Sequence, residues 1–177
     1  MKKSERVVLE SLQIRDAVVS LAREITADGG NLENLAIVGI RRRGVPLAQR
    51  ISAEIERRYG AKLELGLLDI TLYRDDLSLV AVQPVVHATE INFNVEGKRI
   101  VLVDDVLFTG RTVRAAISEI LDFGRPAKIE LAVLVDRRHR ELPIAADYVG
   151  KKIETRRNEL VDVLLTETDG EDRVVIR

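Results

Sequence analysis

The chain contains 177 residues, 46% hydrophobic and 32% charged, with a net charge of −1; this excludes a disordered or membrane-embedded chain and gives no global argument for nucleic-acid binding. It contains no cysteine, which excludes disulfides and cysteine-ligated metal sites. Because no apolar run could span a bilayer and the first six residues do not lead into a secretory signal, we expect a cytoplasmic protein without a membrane partner.

Apolar spacing along the chain predicts alternating helices and strands. In the first helix, apolar residues recur every three or four positions and form one face, at Ile14, Val18, Leu21 and Ile25. Aromatic residues make up only 3% of the chain, so the core must consist mainly of Val, Ile, Leu and Ala, which suits a buried parallel sheet. The predicted elements, in chain order, are a helix over residues 11–27, a strand over 35–40, a helix over 44–59, strands over 63–73 and 99–105, a helix between the Thr/Gly turn at 109–112 and Gly124, and strands over 129–135 and 160–165.

The order of these elements predicts an α/β fold. Strand–helix alternation over residues 35–135 indicates a parallel twisted sheet flanked by helices and joined by right-handed crossovers. We expect one domain over residues 1–177, with a core over about 10–136 and a small irregular lobe over about 137–170 that includes the N-terminal segment. Residues 77–94 alternate loosely and contain Pro84, which leaves both a hairpin and an extended loop open.

The stretch over residues 101–113 carries the strongest chemical signal. Two acids, Asp104 and Asp105, end a predicted strand, where open α/β sheets bind their ligands. A loop that opens a helix follows, and backbone N–H groups at a helix N-terminus bind phosphate; its residues are Thr109, Gly110, Arg111 and Thr112. An acid pair alone would equally suit a metal site or a helix cap, but together with this loop it predicts a site for a sugar phosphate.

A basic turn between the first predicted strand and the next helix is a second candidate site. It consists of Arg41, Arg42, Arg43 and Gly44. Three guanidinium groups beside a glycine suit a doubly charged phosphate group, although a basic cluster is also compatible with simple solvated charge. Residues 137–140, 151–152 and 156–157 form further basic clusters, for which solvated surface is the ordinary interpretation.

The 101–113 stretch resembles the signature of the type I phosphoribosyltransferases, which bind 5-phosphoribosyl 1-pyrophosphate (PRPP). The resemblance implies that Asp104 and Asp105 are the catalytic acids that hold the ribose 2′- and 3′-hydroxyls. It implies that the loop over residues 109–112 binds the 5′-phosphate and that the basic turn over 41–44 binds pyrophosphate. It also implies Mg²⁺, held mostly by substrate oxygens, and the type I phosphoribosyltransferase fold with a small C-terminal hood.

Two further stretches narrow the resemblance. Residues 69–78, and residues 139–144 with 146–151, are similar to the subfamily of pyrimidine operon attenuators that are also uracil phosphoribosyltransferases, and the similarity covers about residues 10–170. The implied reaction converts uracil and PRPP to uridine 5′-monophosphate (UMP) and pyrophosphate. The resemblance further implies base contacts near Arg137 and the backbone of Val161, binding of pyrimidine operon mRNA, and a homo-oligomer, either a dimer or larger.

The chain departs from the subfamily pattern at several positions of the expected enzyme site. No Lys or Arg lies between Asp75 and Gly97, and Gln83 stands where a basic residue is expected, with Arg74 as a candidate substitute. Arg42 replaces a common Thr, and Arg138 replaces a Gly whose backbone conformation an Arg would strain if its φ is positive. Residues 151–159 also differ from the usual pattern, so the expected hood is altered where it would hold the base.

The expected RNA-binding face is also altered. Positions that carry a Thr-Arg pair and a further Arg in RNA-binding members hold Val19, Ser20 and Ala145. Each lost Arg–phosphate contact is expected to weaken RNA binding and to reduce its salt dependence. Cationic side chains that remain available for RNA phosphates are those of Arg15, Arg23, His139, Arg140 and Lys151.

Two other functions remain open beside the active uracil phosphoribosyltransferase. One is an RNA-binding attenuator that senses UMP and has weak or no transferase activity; the other is a transferase acting on a purine. For His87 the ordinary interpretation is a loop residue, and for His139 a structural or surface one. Residues 73–75 fit a core or interface position as well as a place in the site.

Overall fold

The computed structural model describes residues 5–29, 31–76 and 85–177. The gaps contain Gln83 and Pro84, so the predictions for these two residues, and for most of the first half of segment 77–94, lie outside the described residues. The elements are β1 (Arg6–Glu10), α1 (Ser11–Ile25), β2 (Leu35–Ile40), α2 (Gly44–Tyr59), β3 (Glu64–Leu68), β4 (Arg99–Leu107), α3 (Arg111–Asp122), β5 (Lys128–Asp136), β6 (Tyr148–Lys152), β7 (Val161–Leu164), α4 (Thr166–Asp169) and β8 (Arg173–Ile176), with short 3-10 turns at Leu32–Asn34 and Thr71–Tyr73.

Five strands form the parallel sheet expected from the sequence, in the order β3-β2-β4-β5-β6. All six residues of β2 are buried, as a strand covered on both faces must be. Its neighbour β4 runs on to Leu107, past the expected end at Asp105, because it stays in register with β5 up to Asp136. The carboxyl ends of β2 and β4 therefore lie side by side at one edge of the sheet.

Each face of the sheet buries its own hydrophobic core. On one face, α1 and α2 pack apolar residues such as Ile14 and Ile51 against Ile37 and Val101. On the other face, α3 packs Val113, Ala116 and Ile120 against Val38 and Leu102. Both cores consist mainly of Val, Ile, Leu and Ala, as the scarcity of aromatic residues in the sequence predicted.

A second, antiparallel sheet of three strands forms the hood, in the order β1-β8-β7. It joins the N-terminal segment to the C-terminal one, and its buried residues Leu9, Val163 and Val174 belong to the same core as α1 and α2. The sequence predicted that the core ends near residue 136 and that the small lobe begins near residue 137. In the structure, β6 lies beyond that point but is the edge strand of the parallel sheet and not part of the hood sheet.

Two other elements differ from the sequence-based expectation. The strand predicted over 63–73 ends at Leu68, and a 3-10 turn follows at Thr71–Tyr73 because the Asp69 carboxylate accepts the Thr71 N–H at 2.9 Å. In the described part of segment 77–94, Glu90 makes one antiparallel bridge with Leu67. Among the described residues, no helix has the length and apolar character required to cross a bilayer.

Candidate functional site

Two carboxyl groups lie at the carboxyl end of β4, where the sequence predicted them. Asp104 is only 6% exposed, and Asp105 is half-buried. The Asp105 N–H donates to Asp104 Oδ1 at 2.9 Å, and the Val106 N–H donates to Asp105 Oδ1 at 2.8 Å. Each acid thus accepts a backbone N–H of its own strand, and the two carboxyl groups also interact with each other.

Burial dominates the electrostatics of this acid pair. It raises the pKa of Asp104 well above its usual range, and the charge of neighbouring Asp105 adds to the effect. Burial also raises the pKa of Asp105, whereas the nearby positive charge of Arg43 opposes that rise. Two adjacent buried carboxyls favour a ligand that donates hydrogen bonds to them or brings positive charge close to them.

The loop between β4 and α3 opens a helix N-terminus beside the acids. Gly110 has φ of +91°, a conformation that glycine adopts readily, and α3 begins at the next residue. Thr109 Oγ1 accepts the Arg111 N–H at 3.3 Å, and the Thr109 carbonyl accepts the Glu141 N–H at 2.9 Å. The first backbone N–H groups of α3 are the kind of donors that bind phosphate.

A cleft of about 300 Å³ borders this loop; its walls are Ile70, Arg74, Asp75, Asp76, Thr109, Arg111 and Thr112. Arg111 bridges the cleft: its guanidinium contacts Asp75 at 2.6 Å and Glu141 at 2.8 Å. Arg74 is paired with Asp76 at 2.6 Å. Both cations therefore reach the cleft, and both are paired with a carboxylate.

The basic turn after β2 lies directly against the acid pair. A Cβ atom on Gly44 would lie 2.4 Å from the Val103 carbonyl oxygen and 3.2 Å from Asp104 Cα, so only glycine allows this approach. A Cβ on Gly39 would likewise lie 2.7 Å from the Gly44 carbonyl oxygen. The turn and the end of β4 are thus in backbone contact, and the Arg41–Arg42 peptide bond is cis.

The three arginines of the turn have different partners. Arg41 donates to the Ala88 carbonyl at 3.1 Å and to Glu90 at 3.2 Å. Arg43 forms a two-bond ion pair with Asp169 of α4, at 3.1 and 2.8 Å. Arg42 is exposed to solvent and, within the described part of the chain, its side chain makes no hydrogen bond. The cleft above the turn, about 250 Å³, is lined by Arg41, Arg42, Val45, Pro46, Gln49, His87, Glu167 and Thr168.

The predicted base-contacting residues lie toward the hood. Arg137 follows the end of β5 and is buried, with its guanidinium 4.0 Å from the centre of the Phe108 ring. It donates to Thr155 Oγ1 at 3.2 Å and to the Arg156 carbonyl at 3.0 Å, and burial lowers its pKa. Val161 is the first residue of β7 and is half-buried.

The residues predicted for RNA divide into two groups. Arg15, Arg23 and Lys151 are exposed, the first two on α1 and the third on the neighbouring edge strand β6. Arg140, in contrast, donates to the Phe108 carbonyl at 2.8 Å and to Asp136 at 2.6 Å, which ties the ends of β4 and β5 together. Its contacts are those of a structural residue, which differs from the expectation that it is available for RNA.

His139 also has an internal contact. Its Nε2 atom lies 2.7 Å from the Thr155 carbonyl oxygen, and its ring packs edge-on against Phe108. His87 donates its backbone N–H to the buried Asp69 carboxylate. His87 also lines the cleft above the basic turn, whereas His139 is held beside Phe108.

Sequence reasoning missed several residues that contact the predicted site. Asp169 holds Arg43, Glu141 holds Arg111, and Phe108 lies under Arg137. Only Asp169 carried a usable signal, the run of acids over residues 167–172. The other contacts join the segment after β5 to the loop between β4 and α3, and no local pattern specifies them.

Comparison with protein families gives a match over residues 8–166 to the phosphoribosyl transferase domain. Among curated proteins, a bifunctional protein PyrR of Caldicellulosiruptor bescii is 57% identical over 96% of this chain and 93% of its own length. The bifunctional protein PyrR of Clostridioides difficile is 54% identical over 96% of both chains. The similarity thus covers nearly the whole chain.

Solved structures share the same architecture at low sequence identity. A hypoxanthine phosphoribosyltransferase of Trypanosoma cruzi matches with a TM-score of 0.75 and 20% identity, over 100% of this chain and 93% of that one. One from Staphylococcus aureus matches with a TM-score of 0.67 and 22% identity, over 85% of this chain and 79% of that one. At such identity the comparison establishes the fold alone.

Proposed function

This chain belongs to the phosphoribosyl transferase family, and from that premise we propose that it transfers the ribose 5-phosphate group of PRPP to uracil and also regulates pyrimidine operon expression. The family membership rests on the match over residues 8–166 and on relatives 57% identical across nearly the whole chain. The observation that best supports the placement of the chemistry is the contact between Gly44 and the end of β4, which brings the acid pair and the basic turn together.

We propose that the acid pair and the adjacent loop bind the ribose phosphate of PRPP. Asp104 and Asp105 would accept hydrogen bonds from the ribose 2′- and 3′-hydroxyls, which satisfies two buried carboxyls that have few other partners. The backbone N–H groups at the start of α3, with the hydroxyls of Thr109 and Thr112, would bind the 5′-phosphate. Arg111 would add charge from the wall of the same cleft.

The basic turn is the proposed pyrophosphate site. Arg41, Arg42 and Arg43 supply positive charge beside the acids, and Gly44 permits the close backbone approach. Two hard carboxylates, those of Asp104 and Asp105, adjoin the turn, and oxygen donors of this kind suit Mg²⁺. This fits Mg²⁺ that arrives with its substrate, where it would neutralise charge on the pyrophosphate.

Positioning and electrostatics account for the proposed chemistry. The bond between the ribose anomeric carbon and the pyrophosphate oxygen breaks, and its electron pair leaves with pyrophosphate, so positive charge develops on the ribose ring. Negative charge on the acid pair favours that development, and the arginines of the turn favour the leaving group. A ring nitrogen of uracil then forms the new bond to the same carbon and loses its proton. Holding both reactants in line removes much of the entropic barrier.

We place the base under the hood, beside Arg137 and the backbone of Val161. The Arg137 guanidinium is buried, has only neutral hydrogen-bond acceptors among the described residues, and lies 4.0 Å from the centre of the Phe108 ring. Such a group favours a partner with carbonyl oxygens, which uracil offers at two ring positions. A pyrimidine is therefore preferred here to a purine as the proposed acceptor.

We also propose that the exposed side chains of α1 and β6 contact the phosphates of pyrimidine operon mRNA, in a cytoplasmic homo-oligomer. Of the cations proposed from the sequence, Arg15, Arg23 and Lys151 are exposed on these neighbouring elements, which supports their proposed contact with RNA phosphates. Binding of UMP in the site would favour the conformers that bind RNA.

A base panel tests the proposed reaction. The purified protein is incubated with PRPP, Mg²⁺ and, separately, uracil, cytosine, adenine, guanine and hypoxanthine, and nucleotide and pyrophosphate are measured. Uracil alone should give product, with one pyrophosphate released per UMP. Product from a purine would contradict the proposed acceptor, and no product with any base, despite UMP binding, would favour the RNA-binding sensor without transferase activity.

A further inference from the structure

The short helix α4 and the turn after it form an acidic segment that we call the C-terminal acidic turn, residues 166–172. Its Asp169 carboxylate accepts two hydrogen bonds from the Arg43 guanidinium, at 3.1 and 2.8 Å. The same carboxylate accepts the Leu165 N–H at 2.9 Å and the Thr168 hydroxyl at 2.6 Å. The C-terminal acidic turn therefore holds Asp169 in place, and Asp169 holds Arg43 in place.

A second arginine attaches the same turn to the body of the protein. Arg50 of α2 contacts Glu167 at 2.6 and 2.8 Å and Asp172 through two bonds of 2.8 Å. Arg50 lies nearly two helical turns beyond Arg43 and contacts the acids on either side of Asp169. The turn thus has one attachment to the basic turn, through Asp169, and one to the helix behind it, through Arg50.

The two attachments differ in what they face. Arg43 lies beside the acid pair, where its positive charge opposes the rise in the pKa of Asp105. On the other attachment, Glu167 lines the cleft above the basic turn together with Arg41 and Arg42. Asp169 binds Arg43 through the Nε and one Nη atom, a side-on arrangement that leaves the other Nη atom free to meet an anion. The Asp169 contact therefore holds one cation of the basic turn beside the acid pair.

We propose that Asp169 is a positioning residue of the transferase site, which orients the Arg43 guanidinium so that it meets the pyrophosphate group of PRPP. An arginine fixed in place before the substrate arrives loses little side-chain entropy when it binds an anion. Asp169 then acts on the active site through Arg43, although its own carboxylate does not touch the substrate. This role rests on the proposed function, since it concerns the binding of PRPP.

The test compares Asp169→Asn with Asp172→Asn, a matched change in the same turn that breaks the Arg50 attachment instead. Asparagine keeps the shape of the side chain and one acceptor oxygen, but removes the charge that fixes Arg43. Asp169→Asn should raise KM for PRPP by roughly ten- to a hundredfold, the usual effect of losing a charged hydrogen bond, while KM for uracil stays near its wild-type value. Asp172→Asn should leave both values close to wild type.

A double-mutant cycle shows whether Asp169 acts through Arg43. Arg43→Ala should raise KM for PRPP on its own, and adding Asp169→Asn to it should change KM little further. Asp169→Glu, which keeps the charge, should restore most of the PRPP affinity, and thermal melting of each variant checks that it is folded.

The possible results separate this role from the reaction itself. An unchanged or lowered KM for PRPP in Asp169→Asn would overturn the positioning role, and a lowered value would show that Asp169 competes with pyrophosphate for Arg43. Equal effects of Asp169→Asn and Asp172→Asn would also overturn it, because they would reflect the turn as a whole. A wild-type protein that makes no nucleotide would instead overturn the proposed function, and this role with it.

Discussion

Arg138 and His139 have φ of +64° and +63°, a left-handed conformation that side chains with a Cβ atom rarely adopt. They follow the end of β5, where the chain turns toward the hood, and the Arg138 N–H is held by Asp136 at 3.0 Å. The ion pair between Arg138 and Glu154 is largely exposed, with side-chain exposures of 74% and 81%, so it contributes little stability. The cost of the strained backbone at Arg138 is therefore larger than the stability that its ion pair contributes.

Replacing Arg138 by glycine should stabilise the protein. Arg138→Gly relieves the left-handed strain and should raise the free energy of unfolding by about 1 kcal/mol, measured by urea denaturation. Arg138→Ala is the matched control, since it removes the same charge but keeps a Cβ atom, and it should give no gain. A glycine variant no more stable than the alanine variant would show that the φ value is not the cause.

The acid pair should make stability depend on pH in the direction opposite to an ordinary ion-paired carboxylate. The pKa of Asp104 is raised in the folded protein by burial, so the folded state holds this proton more tightly than the unfolded chain does. Ionisation of Asp104 therefore lowers the stability of the folded protein. This loss is absent at a pH below the ordinary pKa of aspartate, and it grows as the pH rises from that value through the raised pKa of Asp104 in the folded state.

Asp104→Asn should therefore unfold less readily than the wild type near neutral pH, because a neutral amide replaces a buried carboxylate. The advantage should shrink as the pH falls and vanish in acid, where the wild-type carboxyl is protonated in both states. Urea denaturation across that pH range measures the difference, with Asp16→Asn on the exposed side of α1 as the control. A variant less stable than wild type near neutral pH would contradict the direction of the Asp104 pKa shift.

At the scale of the elements, the meeting of α2 and β4 decides where the site forms. Gly44 begins α2, and a Cβ atom there would lie 2.4 Å from a backbone oxygen of β4, which cannot move aside as a side chain can. At Gly66 on β3, by comparison, the nearest atom to an added Cβ is a side-chain carbon of Val38 at 3.2 Å. A side chain at position 44 would thus clash with backbone, whereas one at position 66 would meet a side chain that can move aside.

Gly44→Ala should separate the basic turn from the acid pair. We expect it to cost about 1–3 kcal/mol of stability, as overpacking usually does, and to lower kcat/KM for PRPP more than that for uracil. Gly66→Ala serves as the matched control and should leave both kinetic constants near wild type. If Gly44→Ala left PRPP kinetics intact, the contact between the turn and β4 would not define the site.

The elements show where sequence reasoning succeeds and where it stops. The strands β2, β4 and β5 of the parallel sheet could be predicted because each is largely a continuous apolar run, whereas β6 could not. The position of Asp104 to Thr112 between β4 and α3 could be predicted because these residues are adjacent in sequence. The hood sheet could not, since β1 and β8 are short strands from opposite ends of the chain that pair only in the fold. The ion pair of Arg43 with Asp169 joins residues 126 positions apart, which no local period can reveal.

At the scale of the whole molecule, the acid pair lies on β4, whereas the exposed cations lie on α1 and on the edge strand β6. We expect ribose phosphate transfer and RNA binding to respond to different substitutions. The altered positions Val19, Ser20 and Ala145 leave Arg15, Arg23 and Lys151 as the proposed phosphate contacts, while Arg140 is engaged inside the fold. We expect the contribution of each exposed cation to RNA binding to be additive and salt-dependent.

Arg15→Ala and Lys151→Ala should each weaken binding to the protein's own pyrimidine operon leader transcript. Each should also reduce the slope of log affinity against log salt by about one, as the loss of one phosphate contact does. Lys128→Ala, at the opposite end of the sheet, is the control, and UMP formation should be unaffected in all three variants. Slopes that match wild type would place the RNA on another surface.

The most direct test of the central claim, that ribose phosphate is transferred at the end of β4, is UMP formation from uracil and PRPP by Asp105→Asn. The variant should lose roughly a hundredfold or more of kcat/KM for PRPP, as enzymes do when a group that stabilises transition-state charge is removed, while Asp16→Asn keeps wild-type activity. An Asp105→Asn protein that forms UMP as fast as wild type would contradict the account, because the acid pair would then have no part in the reaction.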